Sequence, residues 1–222
     1  MVQPTTHHTL RDFDADIQSL RDRFSAMAAR CRDQLHLALD AFWTGSKEKM
    51  AEVEVSDAVV NADEKSIDKS LLEVLALRQP VASDLRMLTA LFKLVTDLER
   101  IGDEAVDISR GTAPTSSEAE PIRARLRKMA ETAEEMLRTS VASFVDGDPK
   151  AAEDVQHVNG VVDVLYEQTV TDSIAFMSKH PTDASSATAT TNVAKCLRRI
   201  AEHAKNIAEG TLFVVRGEEM PR

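Results

Sequence analysis

The sequence predicts an all-α protein built as two tandem three-helix bundles, and three observations lead there. The stretch DLERIGDEAVDIS, Asp97 to Ser109, returns as CLRRIAEHAKNIA, Cys196 to Ala208, matching at Leu98/Leu197, Arg100/Arg199, Ile101/Ile200, Ala105/Ala204 and Ile108/Ile207. A chain that repeats one helix is built from two copies of one unit, here of roughly 110 residues each. With 43% hydrophobic and 29% charged residues and only 7 Gly and 7 Pro, the composition favours helices over sheet or disorder. The punctuation repeats as well: Gly147 matches Gly45, Phe144 matches Phe42, and Val155, Val161 and Val162 match Val53, Val59 and Val60 in one register.

The first helix is expected from about Thr9 to Trp43. Its apolar positions Ile17, Leu20, Phe24, Met27, Cys31, Leu35, Leu39 and Phe42 recur every three or four residues and form one face. Thr44-Gly45-Ser46 ends it, with Gly45 suited to a left-handed stop and Ser46 to the next N-cap. A second helix runs to about Arg78. Gln79-Pro80 then marks the turn into a third, with Pro80 expected in its first turn and the end near Arg110. The first repeat thus spans 9–110, and Gly111 to Ser117, GTAPTSS, has linker composition.

The second repeat, 118–216, follows the same plan. A fourth helix covers Glu118 to Val145, Asp146-Gly147-Asp148 makes the turn, Pro149 opens the fifth helix, and His180-Pro181 turns into the sixth. The run DASSATATTN is rich in residues that lose rotamer freedom or compete for backbone bonds, so a late or frayed start is expected there. Disorder is expected from Gly217. Aromatics make up only 4%, which predicts an aliphatic core.

A formal net charge of −10 argues against nucleic acid as a ligand, since a phosphate backbone calls for a concentrated basic face. The cluster Arg123, Arg125, Arg127 and Lys128 is interleaved with Glu118, Glu120 and Glu131 and reads as a solvated face. No run reaches the roughly 20 apolar residues of a membrane helix, TLFVV being far too short, and the N-terminus lacks a signal-peptide core. A cytoplasmic protein is expected. Cys31 and Cys196 fall within helical patterns and read as small buried residues rather than a disulfide.

The chemistry lies in acidic stripes. Glu99, Asp103 and Asp107 stand four apart beside the apolar seam of the third helix, and Asp57 with Asn61 repeats that spacing on the second. Like charges four apart cost about 0.2–0.5 kcal/mol per pair unless a cation or Arg neutralises them. Two such stripes could supply the oxygens that Mg, Mn, Ca or non-haem Fe prefers. A solvated acidic face fits the pattern too, because 37 acids make four-residue spacings common.

The second copy differs. Arg198 replaces Glu99, Glu202 replaces Asp103 and Asn206 replaces Asp107, while Asn159 and Asp163 stand at the positions of Asp57 and Asn61. A guanidinium stays charged and reaches carboxylates bidentately, so Arg198 is expected to take the place of a metal and pair with Asp163 or Glu202. No Glu-x-x-His pair of the di-iron type occurs, and His36, His157 and His203 read as ordinary face residues. Glycine-rich phosphate loops, G-x-S-x-G and H-E-x-x-H are absent, so no enzyme is expected.

LALRQPVASDLR (Leu75 to Arg86), DLERIGDEAVDIS and CLRRIAEHAKNIAEG (Cys196 to Gly210), set in two helical repeats, resemble the PhoU family, regulators of bacterial phosphate uptake. The resemblance spans almost the whole chain. It implies that the two three-helix bundles are related by pseudo-twofold symmetry, with metal sites on Glu/Asp-x-x-x-Asp motifs. Carried over by position, it implies metal ligands Asp57, Glu99, Asp103 and Asp107 in the first repeat. In the second only Asp163 and Glu202 keep carboxylates, and Arg198 departs from the pattern. The implied cofactor is a divalent or trivalent ion, Fe, Mn, Zn or Mg.

The implied role is non-enzymatic: a negative regulator of the phosphate-starvation response linking the ATPase subunit of a phosphate ABC transporter to a sensor histidine kinase. A homodimer is expected, with no membrane insertion. An accessory protein of a different transporter and a metal-dependent carboxylate-bundle enzyme are the alternatives.

Overall fold

The structure is a computed structural model that describes residues 6–217, with side chains from residue 13 onward. Among the described residues there are six long helices: α1 (Thr6–Thr44), α2 (Lys47–Arg78), α3 (Ala82–Ser109), α4 (Glu120–Asp146), α5 (Pro149–Lys179) and α6 (Ala184–Arg216). Single 3-10 turns, Ser117–Ala119 and Pro181–Asp183, precede α4 and α6. Within each repeat the three helices pack on one another, and the repeats meet where α3 packs along α6 and α1 touches α4. None of these helices is long and apolar enough to cross a membrane.

The repeated punctuation has repeated geometry. Gly45 and Gly147 adopt φ of 66° and 67°, the left-handed conformation that lets a helix stop without a Cβ clash. Ser46 then caps α2 by accepting from the Lys49 amide at 3.3 Å, and Asp148 caps α5 by accepting from Lys150 and Ala151 at 2.9 and 3.2 Å. The linker is tied at both ends. The Ala113 amide donates to the Phe42 carbonyl at 3.1 Å, and Arg123 Nη1 donates to the carbonyls of Pro114 and Ser116 at 2.8 and 2.7 Å.

The seam residues Leu98, Ile101, Ala105 and Ile108 and their counterparts Leu197, Ile200, Ala204 and Ile207 are all completely buried. One continuous apolar core therefore runs through both repeats. Burying each Leu or Ile contributes about 1.5–3 kcal/mol, which is the force that docks α3 on α6. The core is less purely aliphatic than composition predicts: Phe24 and Phe42 are fully buried, and Phe24 meets Phe144 of the other repeat edge-on at 5.3 Å. Few aromatics are present, but three of them sit at the centre.

Three helix boundaries depart from the sequence-based expectations. Pro80 lies outside α3, which begins at Ala82, because Gln79 takes a left-handed φ of 48° and Val81 an extended one, turning the chain before the helix starts. The α4 helix begins at Glu120 after the 3-10 turn, with Pro121 in its first turn. The expected late start of α6 does not occur: it begins at Ala184, and Thr188, Thr190 and Thr191 donate back to the carbonyls of Ala184, Ser186 and Ala187 at 2.8, 2.8 and 3.1 Å. Their hydroxyls accept a helical register instead of competing with it. Gly217 closes α6 with φ 73°, and the disorder expected beyond it concerns residues 218–222, which lie outside the described residues.

Both cysteines are buried and unpaired. Burial, with Asp57 and Asp63 nearby, pushes the Cys31 thiol up to about 12. Burial and the neighbouring Glu104 carboxylate push Cys196 still higher. The basic cluster on α4 is neutralised by acids: Arg123 and Arg127 bind Glu120 at 2.5 and 3.0 Å, Arg125 binds Asp172, and Lys128 approaches Glu131 at 3.6 Å.

Candidate metal centre

In the first repeat, helical spacing puts Asp57 and Asn61 on one stripe of α2 and Glu99 and Asp103 on the facing stripe of α3. Packing of the apolar faces brings these stripes together. Burial, then Asp103 and Glu64, raises the Glu99 carboxyl above its ordinary range. Burial, then Asp57, does the same for Asp103. Each carboxylate is thus destabilised in its charged form, with Arg100 opposing the shift in both. Glu64 joins the group from α2 without having been expected there.

The structure adds a group from α1. Gln34 is 1% exposed, and its Nε2 donates to Asp57 Oδ1 at 3.2 Å and to the Gly102 carbonyl at 3.3 Å. Asp57 Oδ2 accepts from Asn61 Nδ2 at 3.0 Å. With both amide nitrogens turned to Asp57, Gln34 Oε1 and Asn61 Oδ1 are left buried with no hydrogen-bond partner. Buried carbonyl oxygens without donors are costly, and these two give Asp57 an oxygen-rich lining, although Asp57, Glu99 and Asp103 do not bring one oxygen each within 4.8 Å of one another. Gly102 keeps the lining open: a Cβ there would stand 3.3 Å from Asp57 Oδ1, from Gln34 Oε1 and from Val60 Cγ1.

Asp107 stands elsewhere. It is exposed and binds Arg110 at 3.2 Å, and its carboxylate lies near Glu104 and Cys196, on the side of α3 that faces α6. The first-repeat group is therefore Asp57, with Gln34 and Asn61 bonded to it and Glu99, Asp103 and Glu64 near enough for their charges to act on one another. Gln34 had a signal in the sequence, a lone amide three residues from Cys31 and four from Ala38 on an otherwise apolar face.

In the second repeat Arg198 Nε donates to Asp163 Oδ1 at 2.7 Å and approaches Glu202 at 3.5 Å, and its guanidinium lies 5.2 Å over the Tyr166 ring. A side-chain cation thus stands between the two carboxylates that this repeat keeps. Other replacements agree with it. In the registers set by Phe42/Phe144 and Leu98/Leu197, Met136 stands for Gln34, Tyr166 for Glu64 and Ala201 for Gly102. Met136 and Ala201 are buried, so the unpaired amide and the space beside it are both gone. His36 pairs with Glu134 at 2.6 Å and His157 with its own helix's Glu153 carbonyl at 2.8 Å, away from both sites.

The sequence profile of the family described as "PhoU domain" matches residues 24–112 and 126–211, both repeats. A relative from Pseudomonas putida, named phosphate-specific transport system accessory protein PhoU homolog, is 30% identical over 217 residues, covering 97% of this chain and 85% of that one. A Pseudomonas aeruginosa protein of the same name is 30% identical, covering 97% and 90%. The crystal structure of PhoU from Pseudomonas aeruginosa superposes with a TM-score of 0.84 at 28% identity, over 93% of this chain and 100% of that one. That of a phosphate transport system regulatory protein PhoU from Streptococcus pneumoniae gives 0.83 at 22% identity, covering 95% and 99%, a likeness of fold.

Proposed function

The chain belongs to the PhoU family of phosphate-transport accessory proteins, and from that premise we propose that it restrains the phosphate-starvation response from the cytoplasm. In this reading it links the ATPase subunit of a phosphate ABC transporter to a sensor histidine kinase and keeps the kinase from activating its response while phosphate is plentiful. The observation that carries the reading is the family match across both repeats. A role without catalysis follows from the family, whose relatives are named as transport accessory proteins. The experiment is deletion of the gene in its host, followed by phosphatase activity in phosphate-rich medium. Activity switched on without starvation, and switched off by the restored gene, supports the reading; unchanged low activity refutes it.

We further propose that the first repeat holds one hard metal ion through Asp57, Glu99 and Asp103, with the carbonyl oxygens of Gln34 and Asn61 as neutral ligands. Two features support this: the two buried unpaired oxygens and the raised carboxyls, which a cation would relieve together. An ion bound there supplies a fixed positive charge between α1, α2 and α3 and couples their packing to ion occupancy. Arg198 provides the corresponding charge in the second repeat permanently. Elemental analysis of the purified protein tests the assignment: Glu99→Ala with Asp103→Ala should lose the ion and Arg198→Ala should keep it.

A further inference from the structure

The packing of α3 on α6 contains the same contact twice, once in each direction. In the register that matches Leu98 to Leu197, Asp97 corresponds to Cys196, Glu104 to His203 and Asp107 to Asn206. On one side Asp97 of α3 accepts from His203 Nδ1 at 2.8 Å and from Asn206 Nδ2 at 3.0 Å, both on α6. On the other side the helices exchange roles. Cys196 of α6 faces Glu104 and Asp107 of α3, and one ligand atom from each of the three lies within 4.8 Å of the others.

The two sides differ in their supply of donors. Asp97 meets an imidazole and an amide, and its Oδ1 is bonded to both. At the counterpart both donors have become carboxylates, and the only hydrogen left among the three groups is that of a thiol, a weak donor. Arg199 Nη1 reaches Glu104 Oε1 at 2.9 Å, but Oε2 is buried without a partner, in a residue only 8% exposed. That oxygen lies beside a second carboxylate and a thiol that supplies only a weak donor, a set that a further cation would satisfy.

We propose that Glu104, Asp107 and Cys196 form a binding site for a divalent transition-metal ion of borderline softness, such as Zn²⁺ or Co²⁺, at the junction of the two repeats. One sulfur and two carboxylate oxygens are a donor set that Zn²⁺ accepts and that Mg²⁺ and Ca²⁺ do not favour. Arg199 on Glu104 and Arg110 on Asp107 act as outer partners that orient the ligands. Exposure of Asp107 gives the ion an entrance and leaves room for water to complete the coordination. On binding, a bond from the ion to Cys196 Sγ forms, the S–H bond breaks and the proton leaves to solvent. The site shares no residue with Asp57, Glu99 and Asp103, and it does not depend on the phosphate-regulatory reading.

Titrating the metal-free full-length protein with Co²⁺ tests this, because a thiolate ligand produces a sulfur-to-cobalt charge-transfer band in the near ultraviolet. The wild type should show the band, saturating at one equivalent and abolished by Zn²⁺. Cys196→Ser should lack it, while Cys31→Ser and the Glu99→Ala, Asp103→Ala double variant should retain it. Asp107→Asn changes an exposed side chain and leaves the fold intact, and it should weaken Co²⁺ binding at least tenfold. Absence of the band in the wild type, its persistence in Cys196→Ser, its loss in Cys31→Ser alone, or unchanged affinity in Asp107→Asn would each overturn the proposal.

Discussion

Replacing Asp103 by Asn should stabilise the metal-free protein while weakening its hold on the ion. Asp103 stands four residues from both Glu99 and Asp107, and each like-charged pair at that spacing costs about 0.2–0.5 kcal/mol, so relieving two of them gains about 0.4–1 kcal/mol. Burial and Asp57 act in the same direction, and lost attraction to Arg100 offsets part of the gain. For a chain of this length about 2–4 °C accompany each kcal/mol, so the melting temperature should rise by about 1–4 °C. The assay is thermal unfolding followed by helical circular dichroism in chelator.

The pH dependence of that difference has a definite sign. The Asp103 carboxyl is raised in the folded state, so between its ordinary and its raised value the folded protein holds more protons than the unfolded chain. Stability of the wild type therefore falls as pH rises through that window. The advantage of Asp103→Asn should be full at neutral pH and vanish below about 4, where both states are protonated. Saturating Mn²⁺ should reverse the order, because an ion at a hundred times its Kd contributes about 2.7 kcal/mol to the protein that binds it. A variant less stable than wild type in chelator at neutral pH, or an advantage that grows on acidification, would refute the electrostatic account.

Four further outcomes are expected. Arg198→Ala should cost only about 0.2–1 kcal/mol, since the ion pairs it makes are two-fifths exposed, and should leave metal content unchanged. Arg198→Glu restores a carboxylate beside Asp163 and Glu202 and should raise Mn²⁺ binding by up to one equivalent, read by equilibrium dialysis. Gly102→Ala copies the second repeat's Ala201, and crowding Asp57 and Gln34 at 3.3 Å should weaken Mn²⁺ binding about tenfold, although the helix itself favours Ala by about 1 kcal/mol. Phe24→Ala opens a hole in the shared core and should cost about 3–5 kcal/mol in one cooperative transition; two separate transitions would show that the repeats unfold independently.

The helices were legible because the signals that define them are local: a seam at spacings of three and four, glycine stops and Ser or Asp caps. Pro80 misled because proline suits a first helical turn and also the extended stretch before one, and only the left-handed Gln79 decides between them. The threonines of α6 misled because propensity is a weak prior where Thr190 is fully buried against the rest of the bundle. At the site, spacing and self-comparison made the acidic stripe and the pairing of Arg198 with Asp163 legible, but they also put Asp107 with Glu99 and Asp103, and that carboxylate faces α6 instead. Gln34 could not be assigned to it, since it lies on a different helix 23 residues before Asp57. The Glu104, Asp107 and Cys196 group depends on how the repeats dock, which no spacing within one helix encodes.

The central claim is that the duplication has left one hard-cation site, in the first repeat, with Arg198 standing in for the other. Mn²⁺ binding to the full-length protein, counted from the electron paramagnetic resonance of the free ion, tests it most directly. The account predicts one equivalent in the wild type, none in Glu99→Ala with Asp103→Ala, and one in Arg198→Ala. Two equivalents in the wild type, or a single one that survives loss of Glu99 and Asp103, would contradict it.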